Sequence, residues 1–365
     1  MSELNLTGDE NNNACMPLTP QDYLDFLVSI LQLTADDNRD LQKVYSLLQE
    51  NLTKLDETFI NILRYWATST WSGVQAEEAL IIAAVIVNFS NLIRSFPYGN
   101  IATNLEIAIA GCEVVAPILT REAFPEFWAT TQNILGAVYR IRIAGDRALN
   151  LEQAISCYQN ALQVRTQTDF PENWAETQNN LGNAYSERIS GIREENLDLA
   201  ISAYQAALQV HTREAFSQEW AKTHNNLALV YRERGQSFEA ITHLRSALEV
   251  YTPTTFPIEC LVCGRNLGNI AYTIKDWDKA IEGYSVAIAA VEQSRSWVNT
   301  DKRRQEVLGA AIDVYAKMVQ IRINTAQCDR ALEYVERSKT RNLVELLVNK
   351  NLYPSRFGTK LIRKF

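Results

Sequence analysis

Apolar and small residues recur at helical spacing in the middle of the chain. Leu227, Ala228 and Tyr231 fall on one face, and Ala240 and Leu244 begin a matching face a short distance on. Spacings of three and four residues bring side chains to the same side of an α-helix. The pattern predicts two amphipathic helices that are joined by a turn and pack through these faces.

This two-helix pattern repeats along the chain. A Phe-Pro-Glu-x-Trp motif or a weaker copy of it begins at Phe124, Phe170, Phe216 and Phe256, at spacings of 46, 46 and 40 residues. An alanine of the second helix recurs at the same repeat position, as Ala154, Ala200, Ala240 and Ala280. Self-similarity at a fixed period is the signature of a repeat protein. The two longer periods place an insertion between the paired helices, in 141–150 and around 190–196, where Gly and charged residues predict a loop.

A small residue occupies one position of each first helix. These residues are Gly136, Gly182, Ala228 and Gly268. A small side chain lets two helices approach closely, whereas a large one would force them apart. The first and second helix of each unit are therefore expected to be in close contact at this position.

These features together resemble the tetratricopeptide-repeat (TPR) family. The family has a small residue after Leu in its first helix, Tyr three positions later, and Ala at two fixed places in its second helix. The segment from Asn225 to Tyr231 is also similar to the repeats of kinesin light chain. The resemblance implies an all-α solenoid of helix-turn-helix units in a right-handed superhelix, with a period longer than the usual ~34 residues.

The repeats suggest how the whole chain is organised. Thr19 followed by Pro20 is a fair helix start, and three helices near 20–33, 37–50 and 55–70 are expected to cap the array. The full expectation is a disordered N-terminus 1–17, a helical cap 18–72, an array 73–295 with units at about 78–122, 124–168, 170–214, 216–254 and 256–294, a degenerate helix pair 296–350 and a tail 351–365.

Composition narrows the function classes. The chain is 47% hydrophobic with 14 Gly and 9 Pro, which favours a packed helical protein, and its net charge of −8 argues against nucleic acid as a partner. Residues 1–13 do not look like a signal peptide. The longest apolar run, 79–87, is far shorter than the ~20 residues of a membrane span. Six irregularly placed cysteines suggest reduced thiols, so a cytoplasmic protein without membrane partners is expected.

The TPR resemblance also implies where a ligand would bind. In the family, a groove is lined by residues two and five positions before the Leu of the first helix and two, five and six after it. Asn133, Asn179 and Asn225 hold the same place in three units and could clamp a peptide backbone; alternatively they are solvated or cap neighbouring helices. Arginines would favour an acidic ligand, which Glu176, Glu187 and Glu233 oppose. The candidate groove residues are Asn133, Arg140, Asn179, Asn183, Lys222, Asn225, Arg232, Arg265, Asn269 and Tyr272.

No residue pattern indicates catalysis, a metal or a cofactor. Cys260 and Cys263 form a CxxC pair, but a structural zinc site needs four ligands and no second pair accompanies it, so buried free thiols are expected. No Ser/His/Asp or Cys/His grouping is arranged around His211, His224 or His243, and each is expected to be a surface or packing residue. The sequence therefore predicts a non-enzymatic protein with no metal and no cofactor.

The last helix adds a second resemblance. The segment 331–347 is similar to the final helix of TPR–CHAT proteins, common in filamentous cyanobacteria, in which TPRs precede a caspase-like protease domain. The similarity covers roughly 40–354, and the catalytic His and Cys of that family would lie beyond residue 365, so no catalytic residue is carried over. Three functions remain open: an adaptor that binds peptide segments of partner proteins, a separately encoded regulatory half of a caspase-like protease, and a homo-oligomer formed through Trp66 and Trp71.

Overall fold

The computed structural model describes residues 18–36, 41–293 and 301–349, and for 301–311 and 339–349 it describes the backbone alone. Fifteen α-helices and one short 3-10 helix (Leu52–Lys54) lie within these residues, and no strand does, so the all-α prediction is confirmed. The helices are α1 Pro20–Ala35, α2 Leu41–Glu50, α3 Glu57–Trp71, α4 Ala76–Ser95, α5 Ile101–Val114, α6 Pro125–Ile141, α7 Arg147–Leu162, α8 Pro171–Glu187, α9 Arg193–Leu208, α10 Ser217–Glu233, α11 Ser237–Leu248, α12 Pro257–Thr273, α13 Trp277–Gln293, α14 Asp301–Asn324 and α15 Cys328–Asn349.

These helices belong to two compact units, which divide between Thr166 and Gln167. The N-terminal unit contains α1–α7, with pairs α4/α5 and α6/α7. The C-terminal unit contains the pairs α8/α9, α10/α11, α12/α13 and α14/α15, and each pair contacts the next one. The C-terminal unit is thus a stack of helix-turn-helix units. The predicted boundaries of the cap, the array and the degenerate pair stay predictions.

The N-terminal unit begins as its sequence suggests. Thr19 caps α1: its hydroxyl accepts a hydrogen bond from the Asp22 amide at 3.3 Å, and the Asp22 carboxylate accepts one from the Thr19 amide at 2.7 Å. This reciprocal arrangement satisfies two backbone groups that the helix leaves unpaired. Behind it, Phe26, Phe59 and Phe89 lie in one core, with ring centroids 5.4 and 6.2 Å apart along the series.

Helix α4 is more apolar than its longest uninterrupted run suggests. By length and composition alone it is the one described helix that could cross a membrane. Asn88, Ser90 and Asn91 interrupt the run of apolar residues but do not make the helix polar. Its buried residues, among them Ile86 and Phe89, belong to the core of the N-terminal unit. Core helices of soluble proteins can have the same length and composition, so these two features are weak evidence that α4 spans a membrane.

The Phe-Pro-Glu-x-Trp motif or its weaker copy marks the starts of α6, α8, α10 and α12. Phe170 is the N-cap of α8 and Pro171 is its first residue, and the Phe170 carbonyl accepts the first helical hydrogen bond from Trp174 at 2.8 Å. The same bond recurs at the starts of α6, α10 and α12. Proline suits this position because its fixed φ matches the helix and its missing N–H would be unpaired there.

The small residues pack as expected, and they match the side chain that faces them. A Cβ built on Gly182 would lie 2.7 Å from the Tyr204 ring, and one on Gly268 would lie 2.5 Å from the Tyr284 ring. Gly136 has the same relation to Tyr158 in the N-terminal unit, at 2.7 Å. The pair α10/α11 instead combines Ala228 with Leu244, both fully buried. Gly therefore faces Tyr in three helix pairs, and in α10/α11 Ala stands at the position of Gly and Leu at that of Tyr.

The insertion of the longer units is mostly helix, which corrects the expectation of a loop. The connection from α8 to α9 is 188–192, two residues longer than the connection 234–236 from α10 to α11, whereas α9 has 16 residues and α11 has 12. Gly191 takes a positive φ of 82° in the connection, and the Asn196 amide donates to the Ser190 carbonyl at 2.8 Å. One added helical turn therefore accounts for most of the insertion.

The Gly–Tyr contact predicts a rescue experiment. Gly182→Ala should lower the free energy of unfolding by about 1–3 kcal/mol, because the new methyl group overlaps the Tyr204 ring. Adding Tyr204→Leu should recover part of this loss, with a coupling of at least about 1 kcal/mol. Urea unfolding followed by circular dichroism measures both. The reciprocal pair Ala228→Gly with Leu244→Tyr is the control, and strictly additive effects in the first pair would contradict the packing account.

Candidate functional site

The candidate groove residues lie on first helices in both units. Eight belong to the C-terminal unit: Asn179 and Asn183 on α8, Lys222, Asn225 and Arg232 on α10, and Arg265, Asn269 and Tyr272 on α12. Asn133 and Arg140 lie on α6 of the N-terminal unit. Lys222 and Arg232 are exposed, whereas Asn133 and Asn179 are only 7% and 5% exposed. The other six are half-buried.

Asn179 and Asn225 use their amide oxygens to link successive first helices. The oxygen of Asn179 accepts from the Thr223 hydroxyl at 3.2 Å, and that of Asn225 accepts from the Cys263 thiol at 3.3 Å. Thr223 and Cys263 occupy the same repeat position. These asparagines are thus neither merely solvated nor entirely available to a ligand, because one end of each amide holds the stack together.

The oxygens of Asn183 and Asn269 accept hydrogen bonds both from the paired second helix and from the next first helix, α10 for Asn183 and α14 for Asn269. The Asn183 oxygen accepts from the Tyr204 hydroxyl at 2.8 Å, and the Asn269 oxygen accepts from the Tyr284 hydroxyl at 2.7 Å. The Asn269 oxygen also accepts from the Lys317 ammonium at 3.1 Å, and an ammonium group can only donate. Hydrogen bonds of this kind fix which end of an amide faces inward.

The amide nitrogens of these asparagines are consequently the atoms available to hydrogen-bond a ligand. Within the part of the chain that the structure describes, Nδ2 of Asn183, Asn225 and Asn269 donates to no other residue. All three residues are half-buried, and none of these nitrogens is a sealed, unsatisfied group. The first helices of the C-terminal unit therefore carry a series of N–H donors held by bonds at their other end.

The N-terminal unit lacks one of these bonds. Tyr158 corresponds to Tyr204, but Ala137 stands where α8 has Asn183. The Tyr158 side chain is fully buried, and its hydroxyl has no hydrogen-bond partner among the described residues. Burial raises the pKa of Tyr158, an effect that the positive charge of Arg140 offsets in part. A buried hydroxyl without a partner reduces stability.

A cleft lies beside the groove positions at the starts of α8, α10 and α12. Its volume is about 430 Å³, and Glu176 and Lys222 belong to both the cleft and the predicted groove lining. The remaining lining residues are Glu172, Asn173, His211, Gln218, Glu219, Tyr251, Phe256 and Glu259. Four carboxylates and one ammonium group thus face one space.

His211 is the most deeply buried residue of this lining. It is 3% exposed, and its Nδ1 has no hydrogen-bond partner among the described residues. Burial lowers the pKa of His211, while the negative charges of Glu219, Glu176 and Glu172 act in the opposite direction. The imidazole is therefore mainly neutral near neutral pH.

Sequence reasoning missed this cleft, although a signal was present. Glu219 and Glu259 are 40 residues apart at the same repeat position, and Glu172 is the glutamate of the Phe-Pro-Glu-x-Trp motif. All three lie in the first turn of their helices. The shared repeat position of Glu219 and Glu259 therefore predicts that acids converge where α10 and α12 begin.

A pair of histidines packs between α10 and α11. Nδ1 of His224 lies 2.8 Å from Nδ1 of His243, and the His243 ring stacks on Tyr231 at 5.1 Å between centroids. Burial, followed by the charge of His243, lowers the pKa of His224 to about 4, and burial lowers the pKa of His243 as well. The pair is a packing element that disfavours protonation.

The CxxC pair consists of buried free thiols. Cys260 and Cys263 are 0% and 1% exposed, and burial raises the pKa of each to about 12. Thiols of this kind stay protonated and are poor nucleophiles and metal ligands. Over the described residues, no group of three or more His, Cys, Asp or Glu side chains is placed to hold a metal ion.

Comparison with known families agrees with the repeat pattern. Residues 192–252 and 219–293 match the model of a family described as tetratricopeptide repeat. The segment 192–293 carries tetratricopeptide repeats. The matched TPR segment contains α10, α11 and α12, with α9 and α13 at its ends, so it includes most of the candidate groove. A search of curated proteins finds no match.

Several solved structures are similar in fold. The crystal structure of BtubC (BKLC) from P. vanneervenii has 16% identity and a TM-score of 0.43, covering 74% of this chain and 92% of that one. The MamA protein has 17% identity and a TM-score of 0.39, covering 62% and 94%. The APC/C hetero-tetramer Cut9–Hcn1 has 14% identity and a TM-score of 0.39, covering 88% and 57%.

The missing bond of Tyr158 predicts a stabilising substitution. Ala137→Asn should give its hydroxyl the acceptor that Asn183 gives Tyr204, and should raise the free energy of unfolding by roughly 0.5–1 kcal/mol. Urea unfolding midpoints measure the change. Ala137→Leu adds similar bulk without an amide, so equal gains from both variants would show that the hydrogen bond is not the cause.

The histidine pair predicts acid sensitivity of the TPR array. In the folded state the pKa values of His224 and His243 lie below the ordinary ~6.5 of unfolded histidine. The folded protein therefore has its full stability above about pH 6.5 and loses part of it as the pH falls toward 4. Between about pH 7 and pH 5, the wild type should lose roughly 1 kcal/mol more than His224→Gln/His243→Ala, which copies the Gln178 and Ala203 positions of α8/α9.

Thermal or urea unfolding at a series of pH values provides this measurement. His211 and the carboxylates titrate in both proteins, so only the difference between them reports on the pair. Parallel stability curves for the two proteins would show that the pair does not resist protonation in the folded state.

Proposed function

We propose that this chain is a non-enzymatic TPR scaffold that binds extended peptide segments of partner proteins along α8, α10 and α12. The observation that supports this most directly is the series of oriented amide nitrogens on Asn183, Asn225 and Asn269. A peptide backbone carries a carbonyl acceptor at each residue, whatever its side chains. Donors fixed beforehand lose little conformational entropy when a ligand arrives, which favours binding.

Other candidate residues would add contacts around this series. Lys222 and Arg232 are exposed on α10, and Tyr272 presents a half-buried ring that packs edge-on to Trp277 at 5.5 Å. Long cationic side chains on both sides of the donors could reach the carboxylates or carbonyls of a ligand. We further propose a cytoplasmic location, which reduced thiols favour.

A regulatory role toward a caspase-like protease is the second candidate. It rests on the sequence of α15, where residues 331–347 resemble the last helix of TPR–CHAT proteins. Such a role uses the same peptide-binding surface, because a regulator must also contact its enzyme. Recovery of a caspase-like protein as the specific partner in the experiment below would favour this candidate over a general adaptor.

The amide series suggests an isosteric test. In Asn183→Asp/Asn225→Asp/Asn269→Asp, an oxygen still accepts from Tyr204, Cys263 and Tyr284, but a second oxygen replaces each free N–H. Because a carboxylate oxygen repels a peptide carbonyl, specific partners recovered from lysate should fall at least about tenfold, as expected for the loss of several hydrogen bonds. Quantitative mass spectrometry of pull-downs measures this change.

The control must add the same charge elsewhere. Gln153→Glu, Gln205→Glu and Gln209→Glu change exposed residues on α7 and at the end of α9, on second helices or directly after one. This control should retain the partners of the wild type, and circular dichroism should show equal helicity in all three proteins. Equal recovery of partners by the wild type and the groove variant would rule out the assigned surface.

A further inference from the structure

The cleft at the starts of α8, α10 and α12 collects negative charge from three successive first helices. Glu172 and Glu176 come from α8, Glu219 comes from α10 and Glu259 comes from α12. Lys222 is the one cationic side chain of the lining, since His211 is mainly neutral. The side chains therefore leave a charge of about −3 around a space of about 430 Å³.

Three of these carboxylates lack an internal counter-charge. Over the described residues, Glu172, Glu219 and Glu259 form no ion pair and accept no side-chain hydrogen bond. Elsewhere in the same unit carboxylates are paired, as Glu233 is with Arg193 and Glu282 with Arg245. The cleft is thus a place where these three glutamates converge without a side-chain partner among the described residues.

Helix electrostatics explain part of this arrangement, but not all of it. Each of the three acids lies in the first turn of a helix whose N-cap makes no side-chain hydrogen bond, and there it stabilises the positive end of the helix. Each helix end supplies roughly half a positive charge. Three ends offset about half of the side-chain charge, so the cleft remains negative.

His211 provides an independent sign that the cleft is built for an occupant. It is 3% exposed, lines the cleft, and its Nδ1 has no partner among the described residues. A buried polar atom without a partner costs about 1–3 kcal/mol, and a bound group that supplies the missing hydrogen bond is one explanation for such an atom. The neutral imidazole also adds no charge that would repel a cation.

The lining suits a long cationic side chain. Tyr251 and Phe256 line the cleft with aromatic rings, whose centroids lie 5.6 Å apart. Aromatic faces attract ammonium and guanidinium groups, and they also pack against the aliphatic stem of lysine or arginine. Glu176 and Lys222 connect the cleft to the proposed groove.

We propose that this cleft binds a lysine or arginine side chain of the peptide held on α8, α10 and α12, an inference that rests on the peptide-binding function proposed above. The carboxylates of Glu172, Glu219 and Glu259 bind the cationic head, and the aromatic rings contact its stem. The partner is therefore a protein segment with a basic residue at the end that lies over the starts of these helices.

The test uses the full chain and three fluorescent peptides of equal length, in which Gly and Ser alternate with Lys, Gln or Glu. Fluorescence anisotropy should show that the Lys peptide binds the wild type most tightly. Glu172→Gln/Glu219→Gln/Glu259→Gln should weaken this binding about tenfold or more, as expected for three partly exposed ion pairs. Added salt should reduce the difference between the two proteins.

The matched control removes first-turn acids that lie outside the cleft. Glu194→Gln/Glu195→Gln/Glu239→Gln changes the net charge equally and weakens the starts of α9 and α11. Its affinity for the Lys peptide should equal that of the wild type. If it loses as much affinity as the cleft variant, net charge explains the effect and the assignment of the cleft fails.

The remaining outcomes separate the two proposals. Equal binding of all three peptides, unaffected by the cleft variant, would overturn the cation site and leave the groove intact. Failure of every peptide to bind would count against both proposals. Spermidine that displaces the Lys peptide and binds more tightly than it does would show that the cleft takes a free polyamine instead of a protein side chain.

Discussion

The contact between a small residue of the first helix and a large residue of the second sets the geometry of each unit. Where Gly182 and Gly268 face tyrosine rings, no space remains for a single methyl group. Where the small residue is Ala228, Leu244 stands at the repeat position of the tyrosine, and both belong to the same buried core. The residues at these two positions therefore change together from one helix pair to the next. The polar contacts around the tyrosines depend on this close packing.

The close contact between Gly and Tyr also positions the tyrosine hydroxyl for a hydrogen bond. Because the Tyr204 ring lies against Gly182, its hydroxyl reaches the oxygen of Asn183, the next residue along α8. The same holds for Tyr284, Gly268 and Asn269. Packing thus orients a polar residue, and that residue presents its opposite end to solvent. In the N-terminal unit the polar residue is absent: Ala137 stands in place of the asparagine, and the Tyr158 hydroxyl has no hydrogen-bond partner among the described residues.

The sequence predicted the helices, the repeat and the small residues because these follow from local spacing. Thr19 and Pro20 mark the first helix correctly, and the Gly positions are those of closest approach. The sequence did not predict that the asparagine oxygens would be hydrogen-bonded. These bonds join residues far apart in the chain, as Asn179 and Thr223 are, 44 residues apart. The inserted turn of α9 was mistaken for a loop because Gly191 does lie in the connection, and the charged residues after it, Glu194 and Glu195, suit the first turn of a helix as well as a loop.

The amide series and the acidic cleft together give the proposed surface a direction. The N–H donors run from one first helix to the next, whereas the carboxylates gather where those helices begin. A peptide backbone satisfies the donors in either orientation, because carbonyl groups recur along its whole length. A single basic side chain does not, since the cleft offers it several carboxylates at the starts of these helices, whereas Glu233 at the end of α10 is paired with Arg193. The donors would therefore contribute affinity for peptides in general, and the cleft would select the sequence and the orientation that bind.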